Sequence, residues 1–467
     1  MADTLQDSRE VGLGRGHVRG IFKILIFLVL IAEVVIILWL FHTEDVTWLG
    51  IFLVEAITLG LALVRWPFGA LIVLIAASAM PRYNVEIFGW HARPEHFVLA
   101  SLGLVCLIRI LLQRERMRFA ALDYLVLAYV AMNYFSSAVM SPERATTLRW
   151  ALQNNLAVLP YFFIRYFVRG EDRLRKAFGI LLSVGLIEAA YGVLCFVSYV
   201  IFRTTLGVTP FQYGLIPGTY GSQYEANLFG SYTGSCAIMF LTVYLFKKGS
   251  APRYAFGFAV TSIALFVSLA RAALLGFVVA VFLVLFLSYR SGNLRLARIT
   301  RLSLALGALL LIVMPMAGSF LVERISGLSF NDPVEDINVQ GRLLSYAAAL
   351  ENIRQHPLLG NGTASFQLLQ NADDPSLGDQ PWVGNSSIRI LHDTGAIGLA
   401  IFLVFVLWLA SRTWDVIKAG ARGGPALVAL FAGGLLYAIS FQATDGTMLA
   451  FSWIHIGLLT SILYSSR

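Results

Sequence analysis

Ala272-Ala-Leu-Leu-Gly-Phe-Val-Val-Ala-Val-Phe-Leu-Val-Leu-Phe-Leu-Ser-Tyr289 runs without a charge between Arg271 and Arg290. In hydrocarbon each backbone amide needs a partner inside its own segment, and a core about 30 Å thick takes about 20 apolar residues wound as helix. This run has that length, and similar runs recur over nearly the whole chain. They are continuous and do not alternate apolar with polar, which selects helices over a membrane β-barrel. The expected fold class is therefore an all-α polytopic membrane protein. Composition agrees: 58% of the 467 residues are hydrophobic and 13% charged, whereas a soluble domain carries about 25% charge.

In chain order the spans are expected near 21–41, 48–64, 68–80, 97–112, 122–140, 148–168, 178–202, 229–246, 255–270, 272–289, 302–319, 390–411, 426–441 and 449–465. That gives about 12–14 transmembrane helices. The organisation is an N-terminal tail 1–20, transmembrane helices 1–11 over 21–319 with short loops, a large helix-containing loop 320–389, and C-terminal transmembrane helices over 390–467. The first run, Ile21 to Phe41, follows Arg9, Arg15 and Arg19. It is too long for a signal peptide and lacks a small-residue cleavage site, so it reads as a retained span. Cys106, Cys195 and Cys236 each fall inside an apolar run with no CxxC pattern, so neither a disulfide framework nor a zinc site is expected.

Charge alternates between the connecting segments. Arg114, Arg116 and Arg118 share one side with Arg169, Arg173, Arg175 and Lys176, with Lys247, Lys248 and Arg253, with Arg290, Arg295, Arg298 and Arg301, and with Arg412, Lys418 and Arg422. The segments His42–Asp45, Pro81–His96, Ser141–Thr147, Arg203–Leu228, Phe320–Arg389 and Gln442–Met448 are poorer in Lys and Arg. The positive-inside rule makes the first set cytoplasmic. The expected location is a bacterial inner membrane, with both termini cytoplasmic and the large loop periplasmic. The net charge of +8 then reports topology. It is scattered over many short loops, and no nucleic-acid partner is expected.

A loop of the length of 320–389 usually carries function. Inside it, Gly341 to Arg354 reads as a helix stopped by His356-Pro357 and Gly360-Asn-Gly362, with Arg342 in its first turn. A cation there opposes the helix dipole, which points to a task other than helix stability; the plain alternative is a solvated surface arginine. Arg271 stands between two abutting spans, in Phe266-Val-Ser-Leu-Ala-Arg-Ala-Ala-Leu-Leu-Gly276. A guanidinium there needs a partner, water or an anion; the plain alternative is an arginine snorkelling to the interface. Two such arginines suit a pyrophosphate, because guanidinium stays charged and grips phosphate oxygens bidentately.

Gly341-Arg342, His356-Pro-Leu-Leu-Gly-Asn-Gly362, Asn385 through Leu391-His-Asp-Thr-Gly-Ala-Ile-Gly398-Leu399, and Arg271 together resemble the O-antigen ligase and polymerase family. Gly218-Thr-Tyr-Gly-Ser-Gln-Tyr-Glu-Ala-Asn-Leu-Phe-Gly230 resembles the family's loop before a central span, while the first 200 residues match in hydropathy alone. The resemblance implies a GT-C-type glycosyltransferase. Its donor would be a glycan on polyprenyl (undecaprenyl) diphosphate, its acceptor a second glycan, and it would work in the bilayer without metal or cofactor. Arg271 and Arg342 would bind the donor diphosphate, and the acceptor hydroxyl would displace it with inversion. Family ligases carry His-Asn where this chain has Gly384-Asn385, and commonly Ser where it has Ala270.

His392, about 12 Å further along the same helix by its rise, is the candidate substitute base. Its alternative role is a hydrogen-bonded histidine in the bundle. Glu225 and Asp393 are carboxylates able to orient an acceptor hydroxyl; a solvated acid is the plain reading of Glu225. Tyr220, Tyr224, Tyr346 and Trp382 lie in outer loops where rings can stack on sugars. The candidate catalytic residues are thus Arg271, Arg342 and His392, and the candidate substrate-binding residues Tyr220, Glu225, Asn227, Tyr346, His356 and Asn385.

The absent ligase histidine favours a polymerase of lipid-linked repeats, possible partners including a chain-length regulator protein. The same-class alternative is a ligase that moves finished glycan to lipid A core or protein. A lipid-linked sugar flippase is the rival from another class. Glu33, Glu55 and Glu188 fall within spans as a transport pathway would require, but they are dispersed, and the polar residues gather in one asymmetric loop, which favours an enzyme.

Overall fold

The computed structural model describes residues 66–87, 90–112, 119–211, 216–247, 251–292, 300, 307, 337–369, 383–420 and 424–464. The expected spans 21–41 and 48–64, nearly all of 302–319, and Trp382 lie outside the described residues. The elements, in order, are α1 (Pro67–Ser78), β1 (Val85–Ile87), β2 (Trp90–Ala92), α2 (Pro94–Leu112), α3 (Ala121–Val139), α4 (Arg144–Leu156), α5 (Leu159–Phe167), α6 (Glu171–Phe202), β3 (Val208–Phe211) and β4 (Ile216–Thr219). They continue as α7 (Ala226–Phe246), α8 (Pro252–Ser268), α9 (Arg271–Arg290), α10 (Ile337–Gln355), α11 (Phe366–Leu369), α12 (Ser386–Lys418), α13 (Gly424–Ser440) and α14 (Ala450–Tyr464).

Among the described residues six helices are long and apolar enough to cross a membrane: α2, α3, α6, α7, α9 and α12. Four shorter apolar helices, α1, α8, α13 and α14, accompany them. The protein is an all-α, multi-pass membrane protein. The segment expected as one span at 148–168 is instead two short helices, α4 and α5, broken at Ala157-Val158 just before Pro160. The first half is too polar to cross lipid, carrying Arg149, Gln153, Asn154 and Asn155. The segments 81–96 and 203–228 each contain a two-stranded antiparallel hairpin.

Contacts divide the chain into two compact units, residues 1–74 with 84–116 and residues 75–83 with 117–467. In the first, Val85 pairs opposite Ala92, and Arg93 Nε pairs with Glu95 Oε1 at 3.0 Å where α2 begins. The second holds every candidate site residue. At its centre α7 is buried over its whole span, among α6, α8, α9 and α13. Its small residues permit close packing, and two of its threonine hydroxyls are satisfied within the helix: Thr233 and Thr242 donate to the carbonyls of Phe229 and Ile238 at 2.8 and 2.7 Å.

The feature that sets the site is a break in α12. Gly395 has φ +66° and ψ −172° inside the helix, a conformation essentially confined to glycine. A helix broken this way exposes amides on one side and carbonyls on the other. The segment His356–Gly362 meets both sets. Ala396 and Ile397 donate to the carbonyls of Pro357 and Leu358 at 2.9 and 3.2 Å, and Asn361 and Gly362 donate to those of His392 and Asp393 at 2.8 and 3.0 Å. This backbone clamp needs atomic contact. A Cβ on Gly395 would lie 2.2 Å from the Leu358 oxygen, and one on Gly360 would lie 2.5 Å from the backbone of 393–395.

Gly395→Ala and Gly360→Ala should therefore each destabilise by about 3 kcal/mol or more, through strain and displaced backbone. Gly384→Ala, where a Cβ meets nothing within 4 Å, should leave stability near wild type. Thermal unfolding of the three purified variants in detergent checks this, and equal melting temperatures would argue against a tight clamp.

Candidate active site

The clamp carries α3 with it. Ser136 donates to the Asp393 carbonyl at 2.7 Å and receives the Gly362 amide at 3.1 Å. The Thr363 amide donates to Ser137 Oγ at 3.0 Å. Held between these elements, the first part of α12 presents Arg389, His392 and Asp393 to the interior, all buried.

A buried guanidinium must meet its counter-charges with good geometry. Arg389 donates from Nη1 to Asp393 Oδ2 at 3.0 Å and from Nη2 to Thr447 Oγ1 at 2.8 Å, while its Nε pairs with Asp445. Asp445 Oδ1 in turn accepts from Ser386 Oγ at 2.8 Å, Thr447 Oγ1 at 2.7 Å and the Thr447 amide at 3.1 Å. Asp393 Oδ2 also accepts the Ala364 amide at 3.1 Å. The result ties the turn at 442–449 to the start of α12.

Glu225 lies at the edge of this network. It is the N-cap of α7, in extended conformation, and the hydroxyl of Thr444 donates to its Oε1. Burial pushes its carboxyl above the ordinary range, opposed by the hydrogen bonds from Thr444 and Asn227 and by the positive charge of Arg342, and reinforced by Asp445. Arg342 is half-buried on α10. One turn on, the Tyr346 hydroxyl donates to the Gly384 carbonyl at 3.2 Å, and its proton is held more tightly than usual by burial. Arg271, half-buried, is the first residue of α9. The residues before it pack on α7 just past Glu225: a Cβ on Gly230 would lie 2.5 Å from Ser268 Oγ and 2.7 Å from Ala270 Cβ.

Arg342, Tyr346, Glu225 and Asn227 thus come together, with Arg271 at the same end of the bundle. Because α10 begins at Ile337, Arg342 sits in the second turn, not the first as expected. The dipole argument for its role falls away, and its place beside Glu225 replaces it. The other residues have local duties. His392 is fully buried, its Nδ1 3.0 Å from Asp393 Oδ1 and its ring 5.6 Å from that of Phe366. His356 Nδ1 faces Asn361 Oδ1 at 2.9 Å and steadies the clamp. Asn385 caps α12, accepting the Ile388 amide at 3.0 Å and donating to the Gln442 carbonyl at 2.8 Å. Tyr220 is buried, with the Arg82 guanidinium 4.0 Å above its ring, so that face is already occupied. Tyr224 is exposed.

Residues 256–403 match the family model for O-antigen ligase. A search of curated proteins returned no match. The matched segment runs from α8 into α12 and includes Arg271, Arg342, the clamp and Arg389. Glu225, Thr444, Asp445 and Thr447 lie outside it and reach the site from the helices on either side.

Arg389, Thr444, Asp445 and Thr447 escaped the sequence reading. The available signal was Arg389 with Asp393 at i,i+4 beside a span, since ionised residues there require partners. Arg389→Gln leaves two buried carboxylates without their cation and should destabilise by about 3–5 kcal/mol. Arg389→Lys should recover only part, because a single ammonium cannot span the fork. Melting temperatures of both variants in detergent test the pairing.

Proposed function

We propose that this protein is a glycosyltransferase that polymerises oligosaccharide repeats carried on polyprenyl diphosphate, working at the outer face of a bacterial inner membrane. The observation that supports it is Arg342 beside a carboxylate of raised proton affinity, Glu225, at the bundle end where α9 begins with Arg271. Cations there suit the diphosphate of a lipid-linked donor and offset the charge that grows on it as it leaves. Glu225 accepts the proton of the acceptor hydroxyl. The acceptor oxygen forms a bond to the anomeric carbon, the bond from that carbon to the phosphate oxygen breaks, polyprenyl diphosphate departs, and configuration inverts. We assign His392 to holding Asp393 and the clamp, and Tyr346 and Asn385 to shaping the acceptor side.

A ligase reading has support in the description of the matched family. Against it stands Gly384, where family ligases carry histidine. Glycan analysis of a deletion strain separates the two. Single repeats accumulating on the lipid carrier indicate a polymerase, and long lipid-linked chains that never reach a final acceptor indicate a ligase.

Arg271→Ala and Arg342→Ala should each abolish chain extension at unchanged membrane protein levels, with lysine a poor replacement at either position. Normal polymer length in either alanine variant would defeat the donor-site assignment. Glu225→Gln should slow transfer by about 10²–10⁴-fold.

The pH dependence follows from the same carboxylate. A base works only when deprotonated, so activity should rise with pH through a limb above the ordinary carboxylate range. The Thr444 hydroxyl stabilises the ionised form, so Thr444→Val should move that limb to higher pH. An unmoved limb in the rate–pH profile would place the base elsewhere.

A further inference from the structure

The helices that frame the site also frame a second feature at their other ends. Helix α9 begins at Arg271 and ends at Arg290, a length of about 30 Å at 1.5 Å per residue, the thickness of a hydrocarbon core. At the Arg290 end a cleft of about 480 Å³ opens between α9, α12 and α13, with Phe246 of α7. This is within the range of small-ligand sites, roughly 300–1,000 Å³.

Its lining divides by chemistry. Leu287, Leu427 and Val428 form a buried apolar floor. Arg290 and Lys418, both exposed, stand at the rim, and Trp414 lies beneath the Lys418 ammonium at 5.4 Å. Among the described residues no carboxylate lines the cleft. An apolar floor under a rim of unopposed cations complements a ligand with an anionic head and an apolar body. The flanking helices expose Phe282 and Phe286 on α9 and Leu407 and Trp408 on α12, a surface on which acyl chains can lie.

We propose that this cleft binds the headgroup of an anionic phospholipid from the leaflet opposite the candidate active site. Arg290 and Lys418 pair with the phosphate, and the glycerol and upper acyl chains cover Leu287, Leu427 and Val428. The inference stands apart from the glycosyltransferase reading, since neither cation belongs to that site. It also agrees with the sign of the loops on this side, where anionic lipid attracts basic segments.

The test uses the full chain, purified in detergent and titrated with phosphatidylglycerol or phosphatidylcholine, with bound lipid counted by native mass spectrometry. Phosphatidylglycerol should be retained in preference. Arg290→Gln with Lys418→Gln should weaken that retention by about fivefold for each cation removed. The pair Arg290→Lys with Lys418→Arg keeps the charge and should retain it. A control pair on exposed cations away from the cleft, Lys176→Gln with Arg412→Gln, should leave retention unchanged. Equal loss in the control pair would reduce the effect to general surface charge and overturn the site. Displacement of the lipid by millimolar inorganic phosphate would show a free-phosphate site and overturn the lipid assignment.

Discussion

A guanidinium taken out of water must be met on every side, and Arg389 is met by three side chains at once. Asp393 comes from its own helix, while Asp445 and Thr447 come from the turn between α13 and α14. Desolvating these charges is expensive, and their mutual attraction offsets that only when the geometry is right. The pairing therefore restricts the angle at which α12 enters the bundle and the conformation of the 442–449 turn. Thr444 belongs to that turn and donates to Glu225. The position of the carboxylate proposed as the base thus depends on a cation that stays buried behind it.

The broken helix explains why such a network can form at this depth. An unbroken α12 would use its 392 and 393 carbonyls internally. With Gly395 turned to positive φ, those carbonyls accept from Asn361 and Gly362, and Asp393 also receives the Ala364 amide. Non-helical backbone is tolerated in a membrane protein where protein buries and satisfies it, and the clamp does both. The same segment closes off His392, which has no exposed surface. A histidine placed this way serves the packing of Asp393 more directly than it serves an incoming substrate.

Much of the fold was legible in the sequence because lipid imposes length and polarity together. The runs at 122–140, 229–246 and 272–289 became helices with close to the expected ends, and the run at 178–202 became one that begins seven residues earlier, at Glu171. The failures have local causes. The segment 148–168 was averaged over a polar half and an apolar half, and Pro160 follows the break between them. Helix α10 extends four residues earlier than the glycine at 341 implied. In the site, Arg271 stood out because a charge between two apolar runs is conspicuous without knowing its partner, and Arg342 because a cation was expected in the first turn of a loop helix, where the structure instead puts it in the second. Arg389 was less visible because Asp445 lies far along the chain, and pairing at that distance exists only in the fold. Tyr220 misled for the converse reason: an aromatic in an outer loop reads as a platform, but Arg82 covers it.

The matched family domain ends within α12, yet two parts of the site come from beyond it. Glu225 precedes α8, and the 444–447 turn follows α13. The domain supplies both arginines proposed for the donor, and the flanking helices supply the carboxylate proposed for the acceptor. Such a division permits the two halves to vary separately. Under the proposed function the donor always presents a polyprenyl diphosphate, whereas acceptors differ, so residues that set the acceptor have reason to lie outside the matched segment. On the proposed function the acceptor side is built around Glu225 and Thr444, beside Gly384, where a Cβ meets nothing within 4 Å, and not around Arg271 and Arg342.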